Sequence, residues 1–254
     1  MRFRWPCRRN AVHLVSDVHT EFMKDGGAAF AARLAASRVD VLIAAGDIGV
    51  ARDGSLDAII GRLVDTVPHV VFVAGNHEFY KSTPIEVADV IARLAARHPT
   101  FHPLDCSAVT IRGQRFVGAT LWFPPPEDRT LCSSLNDFRM IRHFEPWVYE
   151  QHYAAVAYLD RTVAKGDIVV THHLPTPHAI ADRWRGDPLN AFFAVDDLPD
   201  ALLTRPRAWV FGHTHDSTHF YLGDTEFACN PYGYEDVELN PEFDFGFRLK
   251  LEGA

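Results

Sequence analysis

A chain of 254 residues, 47% hydrophobic and 23% charged, can bury a substantial core and has an ordinary globular composition, which predicts one domain over residues 1–254. Its formal net charge of −8 and lack of a long basic run disfavour nucleic acid as a partner, because phosphate neutralisation asks for a basic patch. No apolar run approaches the roughly 20 residues of a membrane span, and Cys7, Cys106, Cys132 and Cys229 form no Cys-x-x-Cys pair, which points to reduced thiols and a cytoplasmic protein without membrane association.

From the N-terminus, the basic stretch with Arg2, Arg4, Arg8 and Arg9 is followed by no secretory apolar core and reads as a frayed end. Residues Val12–Ser16 read as a short buried strand, Gly27–Ser37 as a helix with Phe30 and Leu34 at helical spacing, and Val39–Ala45 as an apolar strand. A helix over Leu56–Val64, a strand over Val70–Ala74 and a helix from Pro84 to Arg97 continue the alternation, which implies βαβ units and a mainly parallel sheet. Past residue 108 the texture changes. Val109–Val117 reads as a hairpin around Arg112-Gly113, and Trp122–Trp147 as a long irregular connection of the kind found beside active sites. A helix over Tyr149–Val163 and a strand over Asp167–Thr171 follow. Pro175–Pro199 is loop-rich with a short helix near Ala179–Trp184, Ala208–Phe211 is a strand, and His219–Leu251 reads as several short antiparallel strands.

Polar clusters recur just past the ends of these strands: Asp17-Val-His19, Gly46-Asp47, Gly75-Asn76-His77-Glu78, His172-His173 and Gly212-His213-Thr-His215. Taken alone each has a bland reading. Asp-x-His is commonly a turn or cap, Gly-Asp and Gly-Asn are turn formers, and a histidine after a strand is usually buried and satisfied. Five in order after apolar runs are hard to explain that way, because loops at strand ends converge while the sheet holds them rigid. Together they offer carboxylate oxygens, an amide oxygen and imidazole nitrogens, the donor set of a paired-metal centre for phosphate ester hydrolysis. Two carboxylates, Asp17 and Asp47, against two divalent ions leave a local charge of plus two, or plus one with a bridging hydroxide, whatever the overall charge.

The order and wording of these clusters resemble the calcineurin-like metallophosphoesterase superfamily from residue 12 to about 216, with no signature position missing. The segment Asn230-Pro-Tyr-Gly-Tyr234 is also similar to the tail of uncharacterised bacterial members. The resemblance implies an α/β (α+β) fold, a four-layer αββα sandwich of two mixed β-sheets flanked by helices. It implies that Asp17, His19 and His215 hold one metal, that Asn76, His172 and His213 hold the other, and that Asp47 bridges both. It makes His77 the catalytic group that faces the phosphate and serves the leaving oxygen, with a metal-bridging hydroxide as nucleophile. His173 is the alternative to His172. The metals would come from manganese, iron, zinc, nickel or cobalt.

Other residues carry weaker expectations. Asn136, Arg139 and Arg142 are candidates for substrate phosphate, since arginine suits bidentate phosphate binding, with surface salt bridges as the ordinary reading. His178 is a similar candidate. Trp122, Phe123, Trp147 and Trp184 either wall a pocket or pack, and Glu78 is expected to make local hydrogen bonds. Residues 121–147 and 174–199 are the expected substrate-selecting loops. The expected activity is hydrolysis of a phosphate mono- or diester, with a small soluble phosphorylated substrate. The alternatives are a nuclease-type phosphodiesterase and a non-catalytic scaffold of the same fold, which the presence of His77 counts against.

Overall fold

The computed structural model describes residues 12–249, so the basic N-terminal stretch, Cys7 and the end of the tail lie outside it. Four runs of apolar residues, β1 (Val12–Val15), β2 (Val41–Ala45), β3 (His69–Val73) and β4 (Phe101–Pro103), form a wholly parallel sheet in the order β1-β2-β3-β4. Near-continuous Val, Ile, Leu and Ala suit strands covered on both faces. Helices α1 (Ala28–Ala36), α2 (Ser55–Thr66) and α3 (Pro84–Arg97) connect them. The start of α3 is fixed by a capping box between Thr83 and Glu86 with Pro84 in the first turn, where its missing N–H costs nothing.

The second sheet begins with the expected hairpin, β5 (Ser107–Ile111) and β6 (Gln114–Gly118). Arg112 and Gly113 both take left-handed backbone (φ 50° and 86°), as a two-residue hairpin turn requires. Strands β7 (Ile168–Val170), β8 (Ala208–Phe211), β9 (Thr218–Leu222) and β10 (Thr225–Cys229) complete it in the order β5-β6-β7-β8-β10-β9. Parallel pairing runs from β6 through β10, and antiparallel hairpins close both edges. Among the described residues the first sheet pairs in parallel throughout and this second one is mixed, where two mixed sheets were expected. The tail departs from the antiparallel reading at β10, which the β9–β10 hairpin returns into register parallel to β8. A last pair, β11 (Gly233–Tyr234) and β12 (Glu238–Leu239), lies apart from both sheets.

Three layers of apolar packing make the sandwich. Between the sheets, Leu14, Ile43 and Val71 meet Phe116, Val170 and Val210. On the outer face of the first sheet, Leu42 and Phe72 pack with Leu34, Ile59 and Val87 of α1, α2 and α3. On the outer face of the second, Val169 and Trp209 pack with Leu159 of α5 (Trp147–Thr162) and Leu202 of α6 (Asp200–Leu203).

The expected irregular connection after residue 121 holds a 3-10 turn (Arg129–Ser134) and the short helix α4 (Asp137–Met140), and it is well packed. Trp122 and Phe123 are buried, with Phe144 and Trp147 against Trp122 (ring centroids 5.3 and 5.6 Å) and Phe192 against Phe123 (5.0 Å). For Trp122 and Phe123 the packing role holds, while Trp147 packs on Trp122 and also lines a separate depression with Ile85 and Ile91. Among the described residues, no helix is long and apolar enough to cross a membrane.

Candidate metal centre

Each expected cluster follows a strand: Asp17 and His19 follow β1, Asp47 follows β2, Asn76 and His77 follow β3, His172 follows β7, and His213 and His215 follow β8. Backbone hydrogen bonds tie these ends together, with Asp17 N donating to Gly46 O (3.0 Å) and Gly212 N to His172 O (2.9 Å). Asp17, His19, Asp47, His213 and His215 all take positive φ, between 49° and 69°. Left-handed backbone at non-glycine residues costs free energy and persists where surrounding structure over-determines it, commonly at functional sites. The glycines serve close approach: a Cβ at Gly46 would enter the His172 ring, and one at Gly75 would meet the Asp47 carboxylate.

The side chains converge in two sets, each with its donor atoms within 4.8 Å of one another, Asp17/His19/His215 and Asp47/His172/His213, and a third, His19/Asp47/His77, shares a member with each. Asp47 stands between the first two, its Oδ2 3.7 Å from His19 Nε2 and its Oδ1 3.4 Å from His172 Nε2. His19 Nε2 and His215 Nε2 are 3.1 Å apart, and His215 Nε2 is 3.5 Å from Asp17 Oδ1. His172 Nδ1 donates to the Ala45 carbonyl (2.9 Å), which fixes the tautomer and turns Nε2 inward. Asn76 uses its amide N–H groups on Asp137 (2.9 Å) and Tyr80 (3.3 Å), leaving Oδ1 3.1 Å from His172 Nε2. The buried His213 Nε2 has no hydrogen-bond partner. A buried, unpartnered imidazole nitrogen among carboxylates and an aimed amide oxygen fits a divalent cation with nitrogen and oxygen ligands.

Electrostatics point the same way. Burial pushes the His172 pKa down, yet the Asp47 carboxylate beside it carries the ring up to about 10. The cluster demands positive charge at this spot, and a bound cation answers the same demand. His173, next in sequence, is outside both sets. It sits against Trp122 and Phe123, where burial and then the His172 charge hold its pKa down at about 3. The geometry therefore brings His172, and not its neighbour, to the centre.

His77 stands beside the first set and joins His19 and Asp47 within the same 4.8 Å limit. Its backbone N–H donates to Asp47 Oδ1 (2.9 Å), and its ring stacks on Tyr80 (4.2 Å). The sequence reading missed Glu21. Its Oε1 lies 2.9 Å from His77 Nδ1 and 3.2 Å from His19 Nδ1, so one carboxylate orients both rings and leaves both Nε2 atoms turned away from it, that of His19 toward the centre. Burial opposes ionisation of Glu21, but the hydrogen bonds from the two imidazoles bring its pKa down to about 2. Glu21 adds a carboxylate to Asp17 and Asp47, which lowers the local positive charge expected from those two alone. Its only sequence signal was its place two residues past His19.

Glu78 makes the local hydrogen bond expected of it, from Gly75 N–H (2.6 Å), but it also reaches back some thirty residues to accept from the backbone N–H groups of Asp47 (3.0 Å), Ile48 (2.7 Å) and Gly49 (3.3 Å). Asp137, also missed, is fully buried and accepts from Asn76 and from Tyr80 OH (2.8 Å). Its neighbours Asn136 and Arg139 are exposed and bonded to each other, Nη2 to Oδ1 at 2.6 Å. Arg142 pairs with Glu86 (2.6 Å), and His178 lines a separate depression with Val195 and Leu222. Tyr234 stacks on His19 (4.3 Å, 27°) and approaches His215 (4.8 Å). Trp184, in contrast to the other tryptophans named above, lines a cavity that reaches His213 and His215.

The family model for calcineurin-like phosphoesterases matches residues 11–217. An uncharacterised protein, L509 of Acanthamoeba polyphaga mimivirus, is 25% identical over 89% of this chain and 92% of its own length. Among solved structures, phosphopantetheinyl hydrolase from Mycobacterium tuberculosis superposes with a TM-score of 0.66 at 16% identity, covering 88% of this chain and 89% of that one. TT1561 of Thermus thermophilus gives 0.57 at 14% identity, over 87% and 89%. At these identities the structures share the fold.

Proposed function

The chain belongs to the calcineurin-like phosphoesterase family and is a metallophosphoesterase, and we propose that it works with two divalent ions on a small soluble phosphate ester in the cytoplasm. The position of Asp47, one carboxylate oxygen turned to each histidine set, carries the two-ion reading. Asp17, His19 and His215 would hold one ion, and Asn76, His172 and His213 the other. Bound there, the ions supply Lewis acidity that neutralises phosphoryl oxygens and lowers the pKa of water. The donor set, without thiolate, fits manganese, iron, zinc, nickel or cobalt.

The protein's own part is to aim and to move a proton. Glu21 accepts from His77 Nδ1, so Nε2 is the atom through which His77 gives a proton to the departing oxygen. Burial lowers the His77 pKa, but the Asp47 charge and the Glu21 hydrogen bond carry it up to about 9, so the ring holds the proton it gives. The same Glu21 oxygen holds His19 in the tautomer whose Nε2 lone pair faces the centre. Tyr80 supports the His77 ring and, with Asp137, the Asn76 amide.

The test is turnover of p-nitrophenyl phosphate and its bis ester by chelated and manganese-loaded protein, beside the variant His77→Asn. Activity should need metal, and the variant should keep its metal yet lose most turnover of poor leaving groups. Full turnover by metal-free protein contradicts the reading. No turnover of either ester with metals bound would favour the scaffold alternative.

A further inference from the structure

We propose that the cavity on the His213 and His215 side of the centre seats the retained substituent of a phosphodiester. The substrate class is then a diester carrying a flat or apolar organic group, a refinement that rests on the phosphoesterase reading above. The cavity measures about 350 Å³ and is walled by Ile180, Trp184, Leu189, Phe193 and Tyr234. That volume is in the range of small-molecule sites, which are mostly apolar with a few placed polar groups. It opens directly onto the centre. Phe193 stacks on His213 (4.4 Å, 25°), and Tyr234 lies 4.8 Å from His215.

The wall is built rather than incidental. Asp216 Oδ2 accepts from Trp184 Nε1 (3.1 Å) and from Arg183 Nε (3.1 Å), while its Oδ1 is 3.0 Å from Arg183 Nη2. Asn190 Nδ2 donates to the Trp184 carbonyl (2.7 Å). Trp184 is pinned by these bonds, with the Arg183 guanidinium over its ring (4.9 Å to the centroid), yet remains 45% exposed beside the centre. Arg183 is neutralised by Asp216, so the cavity is not a second anion site. What it prefers is a ring or another apolar body.

The diester follows from where the cavity is not. His77, Glu21 and Tyr80 take no part in its lining. In an in-line displacement the leaving oxygen departs at His77, and a monoester has no other organic group to place. A prepared apolar wall against the opposite pair of imidazoles serves a substrate whose phosphorus carries a second ester. In that reaction the oxygen of water joins phosphorus and the bond to the leaving oxygen breaks. That oxygen takes its proton from His77, the proton released by water restores His77, and the retained group leaves as a phosphomonoester.

Three esters with one leaving group test this on the manganese-loaded chain: p-nitrophenyl phenyl phosphate, methyl p-nitrophenyl phosphate and p-nitrophenyl phosphate. With rates normalised to hydroxide hydrolysis, the phenyl diester should exceed the methyl diester at least tenfold in kcat/KM, mostly through KM, and the monoester should be poorest. Trp184→Ala should shrink the phenyl-to-methyl ratio at least fivefold, with Trp184→Phe retaining most of it. Phenyl phosphate, the retained product, should quench tryptophan fluorescence in the wild type and not in Trp184→Phe. Equal phenyl and methyl rates overturn the apolar seat and preference for the monoester overturns the diester assignment, and either leaves the phosphoesterase reading standing. Failure to turn over any of the three with metal bound overturns both.

Discussion

Replacing Glu78 by glutamine exposes how much of the centre depends on a residue that holds the backbone of Asp47 and stands in neither ligand set. Oε1 accepts from Ile48 and Gly49, and Oε2 from Asp47 and Gly75, all in a fully buried setting. An amide has one acceptor oxygen, so Glu78→Gln turns an NH2 group toward one of these pairs and orphans two backbone donors. Each buried unsatisfied donor costs about 1–3 kcal/mol. Removing the buried charge returns part of that cost, for burial and the neighbouring Asp47 push the Glu78 pKa up to about 7. The net loss of stability should be about 2–4 kcal/mol. The turns that carry Asp47 and Gly75 loosen together, so metal affinity should fall as well. Urea denaturation in chelator measures the first, and titration calorimetry with manganese the second. A variant within about 1 kcal/mol of wild type with unchanged metal affinity would refute the reasoning.

Three further outcomes follow from the same geometry. Gly75→Ala places a methyl group against the Asp47 carboxylate and the His172 ring, so metal binding should be lost even where circular dichroism shows a retained fold. Glu21→Gln keeps the volume but weakens the hold on both Nδ1 atoms, and activity and manganese affinity should each fall about 10–100-fold, as is usual for groups that orient metal-bound histidines; unchanged affinity would remove Glu21 from that role. Away from the centre, burial and then the Arg248 charge lower the His13 pKa below its ordinary 6.5. The unfolded chain then binds the extra proton more readily, so this contribution to stability is intact above pH 6.5 and is lost as pH falls. His13→Leu should flatten the decline in urea midpoint between about pH 7 and pH 5.

What the sequence discloses is the part governed by local rules. Apolar runs mark β1, β2, β3, β7 and β8, and the polar residues after each run mark strand ends, so the cluster order could be read before any coordinates. The hairpin at Arg112-Gly113 and the capped start of α3 are local in the same sense. Roles created by reach across the chain are not visible. Asp137 meets Asn76 across 61 residues, and Glu78 reaches back 30 residues to Ile48. Chemical type therefore favoured Asn136 and Arg139 in that stretch, whereas α4 buries Asp137 and leaves its neighbours paired at the surface. Trp122–Trp147 looked irregular because its 3-10 turn and short helix carry no long period, although its aromatic rings pack into the core. The sandwich itself depends on β6 pairing with β7 across some fifty residues, a contact no periodicity announces.

The most direct test of the account is metal stoichiometry in the wild type and in Asp47→Asn, measured by elemental analysis after reconstitution and dialysis, with melting temperature alongside. Two ions per chain are expected in the wild type. A ligand at 100 times its Kd adds about 2.7 kcal/mol to the folded state, so melting should rise by several degrees over the chelated protein. Asp47→Asn should hold no more than one ion and lose activity with it. One ion per wild-type chain, or two ions and full turnover in the variant, would contradict the central claim.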